Sequence, residues 1–338
     1  MAKEVTPEQI AQIDEMVARA HTALDIIATY DQQRVDRLCQ AVAAAVCDMK
    51  VWAPICDEAV DETSLGDKVT KRNKRNKIKL ILRDCLRQPS VGIIEENPAK
   101  GLVKYAKPAG VIASLVPTTN PCLTPAGQIV YAIKARDVMI CSPHPRAKVV
   151  TNKIIDIIRA TLVREGAPAD IIQGIKDPSI NLTKVLMERC DLVIATGGRP
   201  MVKSAYSSGT PAYGSGAGNA TVIIDDTCNT PERQKEAAEN TRISKTSDFG
   251  SGCSCDGNLV IHESIYDDFV KALVAEGAYL ANEEEAEKLK KVMWDETGHR
   301  LPNTVAISPQ KLALAAGFEI PEDRKFLSLI HISEPTRL

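Results

Sequence analysis

The sequence predicts an α/β protein built on a doubly wound, mainly parallel sheet, followed by a second α/β region. Three observations carry this. The runs VIASLVP (111–117), DVMICSP (137–143) and DLVIATGG (191–198) are short, apolar and closed by proline or glycine, as strands buried on both faces are. Helical patterns separate and follow them, at 123–135, at NKIIDIIRATLVREG (152–166) and at RPMVKSAYSSG (199–209). Strand and helix therefore alternate, and ATVIID (220–225) returns to strand, which is the order of a doubly wound sheet.

The elements can be justified in turn. Residues 7–49 carry Ile10, Ile13 and Val17, then Val35, Leu38, Val42 and Val46, at helical spacing. They predict two amphipathic helices around a turn at Tyr30–Asp31. Residues 68–79, KVTKRNKRNKIK, hold seven basic residues in twelve. A solvated helical face explains them better than a nucleic-acid patch. The acidic stretch with Asp57, Glu58, Asp61, Glu62 and Asp67 can balance the charge, and no aromatic residues interleave for base stacking. GLVKYAKPAG marks a hairpin near 97–108. In the 152–166 helix, Ile154, Ile155, Ile158 and Leu162 share one side and Gly166 stops it.

Composition narrows the classes. A chain of 338 residues allows one large or two medium domains. A formal net charge of −2 gives no overall field favouring nucleic acid or an anionic membrane. No apolar run reaches the roughly 18 residues of a membrane span, and the polar start MAKEVTPEQIAQIDEM is no secretory signal. Ten scattered cysteines without CxxC argue for reduced thiols in a cytosol and against structural zinc. No metal site is expected.

Ligands of such sheets bind at the carboxyl ends of the strands. Three strand ends here carry PTTNP (117–121), CSPHPRAK (141–148) and ATGGRP (195–200), and two glycine-rich stretches follow, GSGAGN (214–219) and KTSDFGSGC (245–253). Each alone is weak evidence, and no GxGxxG fingerprint is present. In this order they resemble the acylating, coenzyme-A-dependent branch of the aldehyde dehydrogenase superfamily, over about residues 10–326.

The resemblance implies a Rossmann-like cofactor domain over 1–218 and an α/β catalytic domain over 219–327 that is incomplete against the family. Residues 328–338 read as a non-native tail. It implies NAD or NADP as cofactor and coenzyme A as co-substrate, with Thr118 and Thr119 bordering the nicotinamide. Ser142, Pro143 and His144 would lie by the adenosine ribose, and Thr196, Gly197, Gly198 and Gly216 by the rest of the dinucleotide. His144 is more simply a structural or rim histidine than an acid–base group. Cys253 matches the nucleophile, whose chemistry needs a thiolate that adds to the aldehyde carbon. A free thiol near pKa ~8.5 is mostly protonated at neutral pH, so local donors or positive charge must lower it. Cys255 reads as lining or packing. Asn120 matches the side-chain donor of the oxyanion hole, though an Asn-Pro turn also explains it.

Ser215 stands near the position where hydrolytic relatives carry a glutamate. Serine cannot deprotonate water at neutral pH, so the acyl group on Cys253 is expected to pass to coenzyme A. The stretch TSDFGSGCSCDGN looks most like members acting on sulfoacetaldehyde, while acetaldehyde- and propanal-acting relatives share most of the motifs. A sulfonate calls for an arginine, a lysine or a nest of N–H groups. The partners expected are a small aldehyde and coenzyme A, with no nucleic acid and no membrane. A dimer or tetramer is expected, with the hairpin reaching a partner subunit. The location expected is the cytoplasm, with a bacterial microcompartment as the special case. The rival readings are a hydrolytic aldehyde dehydrogenase and a non-catalytic scaffold binding nucleic acid through 68–79.

Overall fold

The alternation of strand and helix resolves into two units in a computed structural model that describes residues 5–216 and 218–329. The first unit takes the chain up to Ser64 and again from Arg72; the second takes Leu65–Lys71 and the chain from Gly218.

The first unit is centred on a five-stranded parallel sheet. A hairpin, β1 (Gly92–Asn97) with β2 (Leu102–Ala106), precedes it. The sheet strands are β3 (Val111–Val116), β4 (Val138–Pro143), β5 (Ile172–Gly174), β6 (Leu192–Thr196) and β7 (Ala212–Ser215), in spatial order β5-β4-β3-β6-β7. Every residue of β3 and β4 is buried, as their unbroken apolar runs require. The helices Leu123–Ala135, Lys148–Arg164, Ile180–Arg189 and Arg199–Tyr206 make the crossovers. The amino-terminal helices run Pro7–Ile27, opened by a capping box between Thr6 and Gln9, and Gln32–Cys47, capped by Asp31. Ile13, Ile27, Leu38 and Val42 from these helices join Ile112, Ile129, Ile140 and Ile158 in one core.

Several boundaries differ from the sequence expectation. The hairpin begins at Gly92 rather than near 97, because Ile93, Glu95 and Glu96 pair with the second strand across a register shift. Its turn is the stretch Pro98–Gly101, with Gly101 at φ 63°. β5 and β7 have no strand signature in the sequence: they are three and four residues long and contain glycine. The Lys148–Arg164 helix starts four residues before Asn152, and its first turn, Lys148 to Thr151, already buries Val150.

The second unit begins with β8 (Ala220–Ile224), which pairs in parallel with β9 (Asp256–Ile261) across the helix Pro231–Thr246. β10 (Ala278–Ala281) pairs in parallel with β11 (Phe326–Leu329). Ile224, Ala238, Ile265, Phe269, Leu273, Ala278 and Phe326 form a small core. Ser328 and Leu329, assigned from the sequence to a non-native tail, continue β11 beside Leu280 and Ala281. The rest of that tail, 330–338, lies outside the described residues. Among the described residues no single helix is long and apolar enough to cross a membrane.

Candidate active site

In the first unit the chain runs outward from β3 through β4 to β5, then returns to the other side of β3 for β6 and β7. The switch in strand order lies between β3 and β6, and open α/β sheets bind ligands outside the carboxyl ends at such a switch. Thr118, Thr119 and Asn120 follow β3 directly and are half-buried. Thr196 ends β6, with Gly197 and Gly198 next. Gly197 N–H donates to the Ser215 carbonyl at 3.0 Å, tying the ends of β6 and β7 together. A Cβ on Gly197 would crowd the Met201 side chain at 3.3 Å. Gly198 is exposed and opens the Arg199–Tyr206 helix without a side-chain cap, which suits a phosphate. Gly216 is exposed just beyond β7. These backbone-lined positions fit a dinucleotide passing over the sheet edge.

The β4 end is less open. Ser142 is only 4% exposed, and its hydroxyl shares a 2.7 Å hydrogen bond with Thr183. Pro143 is buried beside it. His144 N–H donates to the Val116 carbonyl at 3.1 Å, and its Nδ1 accepts from the Arg146 N–H at 3.1 Å. Burial, then the nearby Arg146, hold the His144 pKa below its usual value. The imidazole closes the short turn Pro145–Ala147.

The basic stretch 68–79 departs most from expectation. Its sequence predicts a solvated face, yet Lys71 is 4% and Lys74 is 7% exposed. Buried ammonium groups need acceptors, and both have them within their own units. Lys74 Nζ donates to Asn120 Oδ1 at 2.6 Å. Lys71 Nζ meets Asp248 Oδ2 at 2.8 Å. Of the acidic residues thought to balance this stretch, Asp57 takes the Arg72 guanidinium in a two-pronged contact at 2.9 and 2.6 Å, while Glu58 pairs with Lys153.

Asp248 organises the loop that carries Cys253. After the Pro231–Thr246 helix the backbone turns left-handed three times running, at Asp248 (φ 52°), Phe249 (φ 49°) and Gly250 (φ 68°). That conformation is strained for Phe and cheap only for Gly. Asp248 is fully buried and accepts from Asp67 N–H at 2.8 Å, from Lys71 and from Ser251 Oγ at 2.5 Å. Its own N–H donates to Thr70 Oγ1 at 2.7 Å. Gly66 makes room for this cluster: at φ +84°, a Cβ there would lie 1.9 Å from Asp248 Oδ1. Residues 65–71 thus belong to the second unit because they wrap the Asp248 carboxylate.

Cys253 follows on a turn closed by Cys255 N–H donating to the Gly252 carbonyl at 3.0 Å. It is the exposed thiol among ten free cysteines, seven of which are buried. Burial pushes Cys39, Cys141 and Cys190 up to about 12. Gly218 passes close behind, and a Cβ on it would sit 3.2 Å from the Cys253 carbonyl oxygen. Cys255 is half-buried, and its sulfur lies 3.2 Å from where a Gly252 Cβ would be. Lys245, nearby, has its pKa lowered chiefly by burial and by Arg300, against the opposing pull of Cys255 and Asp256. Ser215, the last residue of β7, is exposed. Among the described residues no group of three or more His, Cys, Asp or Glu side chains is placed to hold a metal ion.

A five-stranded parallel sheet with a switch in strand order, followed in the chain by a second α/β unit that carries an exposed cysteine, defines an α/β protein of the kind that binds ligands at the carboxyl edge of its sheet. The chain belongs to the aldehyde dehydrogenase family, whose members' pattern matches residues 3–292. It is 40% identical over 318 residues to a sulfoacetaldehyde dehydrogenase of Acholeplasma sp, covering 92% of this chain and 64% of that protein. It is 37% identical to the acylating sulfoacetaldehyde dehydrogenase of Bilophila wadsworthia, covering 96% of this chain and 70% of that one. Among solved structures it resembles an acetylating aldehyde dehydrogenase from Geobacillus thermoglucosidasius, with a TM-score of 0.89 and 32% identity, over 95% of this chain and 70% of the other. The chain therefore spans about two thirds of the length of these relatives.

Proposed function

We propose that this chain is the cofactor-binding part, and part of the catalytic domain, of a coenzyme-A-acylating aldehyde dehydrogenase acting on a short-chain aldehyde, with sulfoacetaldehyde as the first choice. The observation that carries the reading is the presentation of Cys253: an exposed thiol on a braced turn, while seven of its nine fellow cysteines are buried. The sheet edge from Thr118 to Asn120 and from Thr196 to Gly198 is the cofactor cleft, with Gly216 at its border. The Ser142 hydroxyl is committed to Thr183, so the adenosine end is held by backbone around Pro143 and His144 rather than by that side chain.

Cys253 as thiolate adds to the aldehyde carbon, forming a thiohemiacetal whose oxygen is held by the Asn120 amide. Thr118 and Thr119 would border the nicotinamide, which when bound would supply the hydride acceptor that takes the thiohemiacetal to a thioester on Cys253. The coenzyme A thiol then attacks the thioester carbonyl, and Cys253 leaves as thiolate. Asp248, the carboxylate nearest in sequence to Cys253 on its amino-terminal side, is committed to Lys71, Ser251 and the Asp67 N–H, so it is not a free base for water. Ser215 offers no base either. The full protein self-associates through the β1–β2 hairpin, where Leu102, Val103 and Tyr105 are exposed, and works in the cytoplasm.

The test is NAD(P)H formation from sulfoacetaldehyde, acetaldehyde and propanal, with and without coenzyme A, in the wild type and Cys253→Ala. Coenzyme-A-dependent turnover that Cys253→Ala abolishes is expected. Free acid released at the same rate without coenzyme A would refute the acylating reading.

A further inference from the structure

The oxygen end of the Asn120 amide is occupied by the Lys74 ammonium at 2.6 Å. An ammonium only donates, so it selects the amide oxygen and rejects the flipped amide, which would set NH₂ against NH₃⁺. The Asn120 Nδ2 donor is thereby turned away from Lys74. Within its own unit, and among the described residues, no group accepts a hydrogen bond from it. The Asn120 carbonyl also accepts from Thr124 N–H at 3.1 Å, which anchors the residue to the Leu123–Ala135 helix. Lys74 is equally fixed. Its turn, Arg72–Lys74, is held by Trp52 Nε1 donating to the Arg72 carbonyl at 2.9 Å and by the Arg72–Asp57 contact. A cation on the oxygen of an amide draws charge from its nitrogen, so the N–H on the far side becomes a stronger donor.

We propose that Lys74 is a positioning residue for the acylation half-reaction: it fixes the orientation of the Asn120 amide and strengthens its Nδ2 donor. The inference rests on the role of Asn120 given above. Lys74 never touches the substrate and acts through Asn120.

The test is a double-mutant cycle on the full chain, read as the rate of acylation of Cys253 by aldehyde and NAD(P)⁺ without coenzyme A, followed by mass spectrometry. Asn120→Ala is expected to slow acylation on the order of 10²- to 10³-fold, as loss of an oxyanion donor does. Lys74→Met is expected to slow it roughly 10- to 100-fold, the range for a hydrogen bond to a charged group. The double variant is expected to be no slower than Asn120→Ala alone, because the effect of Lys74 on acylation passes through the Asn120 amide. Cofactor affinity and the KM for aldehyde stay unchanged, and Lys74→Arg stays within a few-fold of wild type. Additive losses, or a Lys74→Met rate equal to wild type beside a slow Asn120→Ala, overturn the proposal. A normal rate in Asn120→Ala overturns instead the reading of Asn120 on which it rests. If Lys74→Met lowers the melting temperature, Lys74→Arg carries the test, and a loss as large as that of Asn120→Ala overturns the proposal.

Discussion

Replacing Lys71 by methionine removes one partner of a buried ion pair and leaves the other charged. The pair spans 2.8 Å, with side chains 5% and 0% exposed. Removing one member of such a pair costs about 3–5 kcal/mol. What the pair opposes can be sized as well. Asp248 and Phe249 both sit left-handed, at about 1–2 kcal/mol each, so the turn stores roughly 2–4 kcal/mol of strain. The anchor lost is as large as the strain it holds, so the turn from Ser247 to Gly252 should relax rather than persist with an unpaired carboxylate. The assay is native-state hydrogen exchange of the 247–256 amides, together with the rate of Cys253 alkylation by iodoacetamide. Lys71→Met should lose protection selectively in this segment and in residues 65–71, while β3 and β4 keep theirs. Full protection in that segment, with stability within about 1 kcal/mol of wild type, would refute the reasoning.

Other consequences are as direct. Burial pushes Asp137 up to about 6, against the pull of the Gly110 and Ala109 N–H groups. A carboxyl whose folded pKa is raised holds its proton more tightly when folded, so it stabilises at low pH and is a liability once ionised. Asp137→Asn should therefore be more stable than wild type above about pH 6, by at most about 3 kcal/mol, with the advantage fading toward pH 4 in urea titrations. His144→Ala should leave the pH–rate profile unchanged, since its ring caps a turn; a lost limb near neutrality would make it an acid–base group. Gly66→Ala should destabilise the chain by several kcal/mol, because its Cβ would collide with Asp248. Under native conditions iodoacetamide should modify Cys253 first, and Cys39, Cys141 and Cys190 only after unfolding, as peptide mass spectra will show.

Much of the frame can be read from the sequence, for a physical reason. β3, β4 and β6 are continuous apolar runs, and such runs have few alternatives to a buried parallel strand. PTTNP, SPHP and ATGG therefore fall at the carboxyl edge of the sheet without any knowledge of its coordinates. β5 and β7 are too short to show a period. Lys71, Lys74 and Asp248 leave no local trace, because their partners lie 177 and 46 residues away and a buried lysine looks like a solvated one in a basic run. The left-handed pair Asp248–Phe249 is equally silent: aspartate tolerates that geometry, but phenylalanine gives no hint of it. The sequence singles out Cys253 by the motif around it. What braces it depends on contacts between distant segments.

The most direct measurement is intact-protein and peptide mass spectrometry after mixing the protein with aldehyde and oxidised cofactor. An acyl adduct on Cys253 that persists in water and is discharged as acyl-coenzyme A on adding the thiol is the predicted result. An adduct on another residue, or one that decays to free acid before coenzyme A is added, would contradict it.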